Sequence, residues 1–238
     1  EMGKVVEEAL RAGAVGFSTS RILGHRSIHG EPVPGTFAND TEVMVIAQAL
    51  KRAGSGLFQI IPSSTLGPGR PEFKEHASLE QEIDLIAAVS RESGRPATFT
   101  LFQVDDWADK WQEAIAQVKD ANKNGANVFP QVGSRPTGLV LSIDTYNSWA
   151  LKPTFRKIKQ LPKAEQLIEL RKPEVKRQIL AESNEIDGIP VGSMEFGIAH
   201  AEFRYEYIFP LDATSNYEPH QEESFAARSA LTNNSPES

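Results

Sequence analysis

Apolar and polar positions along the chain repeat one pattern four times: an amphipathic helix, a glycine, then a short apolar strand. Val5, Val6, Ala9 and Leu10 share a stripe of helical period, ahead of Gly13 and the strand Ala14-Val15-Gly16-Phe17-Ser18. Asn39 and Glu42 make a capping pair for the second stripe, Val43, Ile46, Ala47 and Leu50. Gly54 and Gly56 then lead into Leu57-Phe58-Gln59-Ile60-Ile61. The third unit runs Leu79, Ile83, Ile86 and Val89, stops at Gly94, and continues as a strand over residues 97–102. The fourth runs Trp107, Trp111, Ile115 and Val118, then Gly125 and a strand over residues 126–129. Glycine just past a helix end supplies the left-handed cap, which explains the recurring punctuation.

The strands read as apolar on both faces, the pattern of a parallel sheet covered by helices. Strand–helix alternation at this spacing predicts βα units with right-handed crossovers. Two architectures satisfy it, an open doubly wound sheet and a (β/α)8 barrel. No G-x-G-x-x-G follows a strand, and the loops after the strands are long and rich in Pro, Gly, Arg and His. Both features favour the barrel, whose functional loops line the C-terminal rim. The expected fold class is therefore α/β, of (β/α)8 TIM-barrel type, with only the middle and later βα units present.

The expected divisions are residues 1–150 as the βα units, 151–190 as a helical basic connection, and 191–238 as a later strand and helix. Residues 152–177 are dense in Lys and Arg, and Pro162 and Pro173 sit where short helices begin, which predicts two exposed helices with solvated charge. A last strand is expected over residues 205–209 and a helix over residues 222–231. The chain opens at Glu1-Met2-Gly3 inside a helical pattern and closes at Ser235-Pro236-Glu237-Ser238, where another helix would start. Both ends read as cuts through a longer protein.

Composition narrows the chemistry. Among 238 residues, 25 Lys and Arg stand against 32 Asp and Glu, for a net charge of −7. That balance argues against a general nucleic-acid binder. No apolar run approaches the roughly 18 residues of a membrane helix, and no signal-peptide pattern opens the chain. With no Cys, disulfides, thiolate nucleophiles and Cys-ligated zinc are excluded within this chain, and a reducing, cytoplasmic setting is expected.

Functional side chains of βα units sit just after the strands. The first such loop carries Ser18, Thr19, Ser20 and Arg21, then His25, Arg26 and His29, a mixture suited to a carboxylate or a polarised carbonyl. Candidate substrate-binding residues are Ser20, Arg21, His25, Arg26, Gln59, Gln103, Gln131 and Arg135. Gln59 also reads as simple polarity of a barrel interior, and Asp105-Asp106 before Trp107 as a helix cap. Arg135 beside Pro136 is an anion-binding candidate. His25, Arg26 and Arg135 are expected to face a common cavity. The five His residues (His25, His29, His76, His200 and His220) form no His-x-His and no His-Glu-x-x-His. No G-x-S-x-G elbow marks a Ser nucleophile, so no catalytic residue and no metal ligand is assigned.

The block Glu8-Ala9-Leu10-Arg11-Ala12-Gly13-Ala14-Val15-Gly16-Phe17-Ser18-Thr19-Ser20-Arg21 resembles the N-acyl-D-amino-acid deacylase (D-aminoacylase) branch of the amidohydrolase superfamily. So do His25-Arg26 with Glu31-Pro32-Val33-Pro34-Gly35-Thr36-Phe37-Ala38, Pro130-Gln131-Val132 with Arg135-Pro136, and Tyr217-Glu218-Pro219 before Ser224-Phe225-Ala226-Ala227-Arg228. The resemblance implies a (β/α)8 barrel that hydrolyses an amide or related C–N bond of a small substrate with a divalent metal, usually zinc. It also implies a His-x-His after the first barrel strand and an Asp after the eighth, neither present here, so the remainder of the barrel would be a partner of this segment. Two further metal His residues would follow middle strands. The corresponding places, near Ile60–Ile61 and near Leu101, are apolar.

Two expectations follow. In one, the chain is the substrate-binding part of an amidohydrolase-type enzyme and is inactive alone. In the other, it is a non-catalytic barrel relative with a binding or assembly role.

Overall fold

The computed structural model describes residues 1–27, 31–65, 77–103, 108–134, 142–144, 147–189, 205–210, 216 and 218–236. The chain divides into two compact units, Glu1–Gly133 and Ser134–Ser238. The first unit holds the expected alternation: α1 (Met2–Arg11), β1 (Gly16–Ser20), α2 (Asp40–Ala53), β2 (Leu57–Ile61), α3 (Leu79–Ser93), β3 (Ala97–Thr100), α4 (Lys110–Lys123) and β4 (Val128–Gln131). All four strands are parallel and pair in chain order, β1-β2-β3-β4, with Phe17 opposite Phe58, Phe58 opposite Ala97, and Ala97 opposite Val128. Consecutive helices pack side by side over the sheet.

Local chemistry sets the helix ends. The Asn39 side chain accepts from the Glu42 N–H at 2.9 Å, as the spacing predicts. Ser78 and Gln81 exchange side-chain-to-backbone bonds in a full capping box at the start of α3. Gly54 and Gly94 close α2 and α3 in the left-handed conformation. The α1 stripe is rotated from the one predicted: Gly3, Val6 and Leu10 are buried, whereas Val5 is exposed. Gly3 lets α1 approach Val45 of α2, where an added Cβ would lie 3.0 Å from Val45 Cγ1. In α4, Ala114 and Val118 are buried and Trp111 is exposed, and Trp107 lies outside the described residues.

The strands correct the sequence reading in one respect: they are two-sided. Phe58, Ile60, Ala97, Phe99 and Val128 are buried in one core with Ile46, Leu50, Ile83, Ile86 and Val89 from the helices. With side chains alternating along a strand, Ser18, Gln59, Thr98, Phe129 and Gln131 fall on the opposite face. There Ser18 and Phe129 are exposed and Gln59 is half-buried. Short strands hid this, because Ile61 and Leu57 beside Gln59 make the run look uniformly apolar.

The described residues of the second unit form short helices. These are α5 (Pro153–Ile158), α6 (Lys163–Leu170), α7 (Pro173–Ala181) and α8 (Phe225–Thr232). Thus three helices, not two, occupy the basic stretch, with Pro153 and Pro173 at first-turn positions. Phe155, Ile158 and Ile179 form a small core. Some of the surface charges are paired: Lys159 and Lys163 meet Asp144, Lys172 meets Glu169, and Arg156 meets Glu185. In place of the strand expected over residues 205–209, Tyr205–Tyr207 is a single 3-10 turn. Among the described residues no strand pairs with it, and the Ile208 carbonyl accepts from the Phe225 N–H at 2.8 Å. Ser142–Asp144 and Asn147–Leu151 also belong to this unit. The expected helix near the C-terminus is present as a 3-10 turn, Gln221–Glu223, followed by α8, which Ser224 caps.

No helix among the described residues is long and apolar enough to cross a membrane.

Candidate functional site

In the first unit, the residues with chemistry gather where β1 and β2 end. The ladder continues one step beyond β1, since the Arg21 N–H donates to the Ile61 carbonyl at 2.9 Å. The chain then folds back on itself. Arg26 and Pro32 form an antiparallel bridge, and the Ser27 N–H donates to the Glu31 carbonyl at 2.8 Å. Gly35, with φ of 95°, lies against β1, where a Cβ would stand 2.5 Å from Thr19 Oγ1. The loop is thus seated on the strand end.

This seating fixes Ser20 and His25 together: Ser20 Oγ and His25 Nδ1 share a hydrogen bond of 2.9 Å. His25 is exposed, so its ring remains accessible. On the open face of the sheet, Ser18 Oγ donates to Gln59 Oε1, directly across the β1–β2 register. Thr98 stands opposite Gln59 and donates to the Phe129 carbonyl at 2.7 Å, and Gln131 stands opposite Thr100. Gln59 therefore belongs to a polar row on the sheet's open face. Gln131 is exposed at the end of β4, and Gln103 is exposed just beyond β3.

Arg21 has a different employment. Its Nη1 lies 3.4 Å from Glu82 Oε2 and 3.5 Å from Asp40 Oδ1. Glu82, on α3, is fully buried and also accepts from the Ser63 N–H at 3.2 Å and Ser63 Oγ at 2.5 Å. Burying a carboxylate is costly unless charge and hydrogen bonds compensate it, and here one cation and two donors do so. The result ties the ends of β1 and β2 to the first turns of α3. Glu82 was not among the sequence candidates. Its signal was an acid three residues after Leu79, inside the otherwise apolar stripe of α3. Next to Ser63, the Ser64 hydroxyl is buried with no hydrogen-bond partner among the described residues.

Arg26 donates from Nε to the Leu23 carbonyl at 3.2 Å, which holds the loop's own turn. Arg135, His29, His76, His200, Asp105 and Asp106 lie outside the described residues, as does the cavity expected to unite His25, Arg26 and Arg135. His220 is in the second unit, just before a 3-10 turn.

The zinc implied by the resemblance does not fit these residues. Ile60 and Leu101 are buried, and Ile60 is directed into the helix-covered core. None of these apolar side chains offers a donor atom. Among the described residues, no three His, Asp or Glu gather.

The chain matches no known protein-family model, no curated protein and no solved structure. The strand ends carry a hydroxyl–imidazole pair, an amide and hydroxyl row on the open face, and a buried ion pair beneath them.

Proposed function

We propose that the first unit is part of a (β/α)8 barrel whose strand C-termini bind a small polar substrate. We further propose that the chain is part of an amidohydrolase-type enzyme that hydrolyses the C–N bond of an N-acyl amino acid or similar molecule, in the cytoplasm. The observation that carries the binding part is the Ser20–His25 pair, held by a loop seated on the end of β1. A hydroxyl and an imidazole at this position can hydrogen-bond an amide carbonyl or a carboxylate. The choice of substrate class rests on the resemblance of the Glu8–Arg21 block to the D-aminoacylase branch. Ligands sit at the C-terminal ends of strands in both barrels and open parallel sheets, which supports the location in either case.

The test is a titration of the 238-residue chain with N-acetyl-D-methionine, followed by the NMR signals of the His25 ring. Saturable shifts that disappear in Ser20→Ala support the reading. Shifts that never saturate, or that survive Ser20→Ala unchanged, refute it. In parallel assays the chain alone is expected not to hydrolyse this substrate, with or without added zinc, because the residues that would hold the metal are apolar. Robust zinc-dependent turnover would overturn that expectation.

The apolar strand ends Ile60–Ile61 and Leu101 favour a second reading, a barrel relative kept for binding or assembly. The longer reading frame decides between them. A His-x-His upstream together with a strand-end Asp downstream selects the enzyme, and the lack of either selects the binding relative.

A further inference from the structure

The second unit contains a cavity of about 530 Å³ that the reading above does not use. Its walls include Trp149, Phe155, Ile179, Leu180, Tyr205 and Phe225. Three of these are unusually open for large apolar side chains: Trp149 is 40% exposed, Leu180 42% and Phe225 37%. Such surface is costly to leave in water and marks a place where something apolar settles. The volume falls within the range of about 300–1,000 Å³ typical of small-molecule sites.

Among the described residues lining this cavity, one is charged, Lys176. On α7 it stands three and four residues before Ile179 and Leu180, so the cation and the two apolar walls share one helix face. Of the other lysines, Lys159 and Lys163 meet Asp144, Lys172 meets Glu169, and Lys152 donates to the Glu182 carbonyl. Lys176 has no ion-pair partner among the described residues. An apolar chamber with one uncommitted ammonium group matches a ligand of one apolar chain and one negative charge. A phosphate would call for several cations or an Arg fork, and a neutral lipid would leave Lys176 without a role.

We propose that the second unit binds a single-chain monocarboxylate amphiphile, a medium-chain fatty acid, with its chain against Trp149, Ile179, Leu180 and Phe225 and its carboxylate paired to Lys176. The site stands independently of the function proposed for the first unit.

The experiment is isothermal titration calorimetry of the full 238-residue chain with sodium dodecanoate below its micellar concentration. Dodecan-1-ol and dodecyltrimethylammonium serve as headgroup controls. Dodecanoate is expected to bind saturably at one site. A charge-assisted contact of this kind predicts that Lys176→Glu weakens dodecanoate about tenfold or more, with dodecanol binding unchanged. Filling the chamber with Leu180→Trp is expected to weaken both ligands. Octanoate is expected to bind at least about tenfold more weakly than dodecanoate, because four methylenes are lost. Lys176 and Leu180 are both exposed, so neither change threatens folding, and far-UV circular dichroism checks this. The proposal is overturned by the lack of saturable binding, by equal affinity for the cationic amphiphile, or by dodecanoate affinity that ignores Lys176→Glu. Sedimentation showing that Leu180→Trp disrupts a dimer, with no fatty-acid binding in the parent, would assign the cavity to a second copy instead.

Discussion

Replacing Glu82 by Gln tests whether the buried ion pair holds the frame of the candidate site. The substitution keeps volume and one acceptor oxygen but removes the charge. Ser63 would still donate to an amide oxygen, although charge-assisted bonds of about 1.5–3 kcal/mol fall to neutral ones of about 0.5–1.5 kcal/mol. Arg21, with a side chain only 12% exposed, would retain just the exposed Asp40 at 3.5 Å. Stranding a buried partner costs about 3–5 kcal/mol. Arg21 still reaches water at its rim, so the expected loss is about 2–3 kcal/mol. For a unit of this size that corresponds to about 10 °C in melting temperature. Urea unfolding in a Trp149→Phe background isolates the first unit, since Trp107 and Trp111 both lie within Glu1–Gly133. A double-mutant cycle with Arg21→Met measures the coupling. The double variant Arg21→Met with Glu82→Met is expected to recover most of the loss, because two well-packed apolar chains often replace a buried ion pair at little cost. A Glu82→Gln variant within about 0.5 kcal/mol of the parent, or a cycle without coupling, refutes the role assigned to the pair.

Two further outcomes follow from the packing. Glu182 accepts from the Thr154 N–H at 2.9 Å and from its hydroxyl, so it caps α5 from 28 residues away, where Lys152 supplies no side-chain cap. Burial pushes its carboxyl up, but the Thr154 donors and Gln178 outweigh this and hold it below the usual carboxylate value. A depressed folded-state value means stability present at neutral pH and lost as pH falls from about 4.5 through the lower folded value. Glu182→Gln is expected to flatten that acid limb, and Glu182→Ala to cost about 1 kcal/mol; both are read from Trp149 fluorescence against pH and urea in a Trp107→Phe, Trp111→Phe background. Gly56, with φ of 87°, sits where a Cβ would lie 2.6 Å from Leu10 Cδ2. Gly56→Ala is therefore expected to cost about 1–3 kcal/mol in thermal unfolding of the first unit.

What the sequence showed well was local. Asn39, Gly54 and Gly94 mark helix ends because capping involves neighbours a few residues apart. The four parallel units were legible for the same reason, since each repeats a stripe, a stop and a strand. What escaped was set by distant partners. Glu82 finds Arg21 across 61 residues, so its place in the apolar stripe of α3 could be read locally but its partner could not. Val5 is exposed because Gly3, not Val5, allows α1 close to Val45. Residues 205–209 have the alternation of a strand, but a strand needs a neighbour to bond, and the Ile208 carbonyl bonds to the first residue of α8 instead. Ser20 and His25 were both named from the sequence; that they bond to each other depends on how the loop seats on Thr19 through Gly35.

The two-sided character of the sheet bears most directly on function. In a doubly wound sheet, helices cover both faces, and both faces are apolar. Here Phe58, Ile60, Phe99 and Val128 meet the helices, whereas Ser18, Gln59 and Thr98 stand in register on the other face. A second helix layer would bury these side chains, and each would need a partner within that layer. Two already satisfy themselves within the sheet: Ser18 bonds to Gln59, and Thr98 to the Phe129 carbonyl. Such pairing suits a face that curves around its own side chains better than one that receives a layer of leucines. The described strands also pair in strict chain order, without the reversal that marks a doubly wound sheet. The polar row and the strand order thus support the barrel reading separately, one through energetics and the other through topology. In the barrel proposed above, a ligand would meet the strand ends where Ser20 and His25 bond to each other.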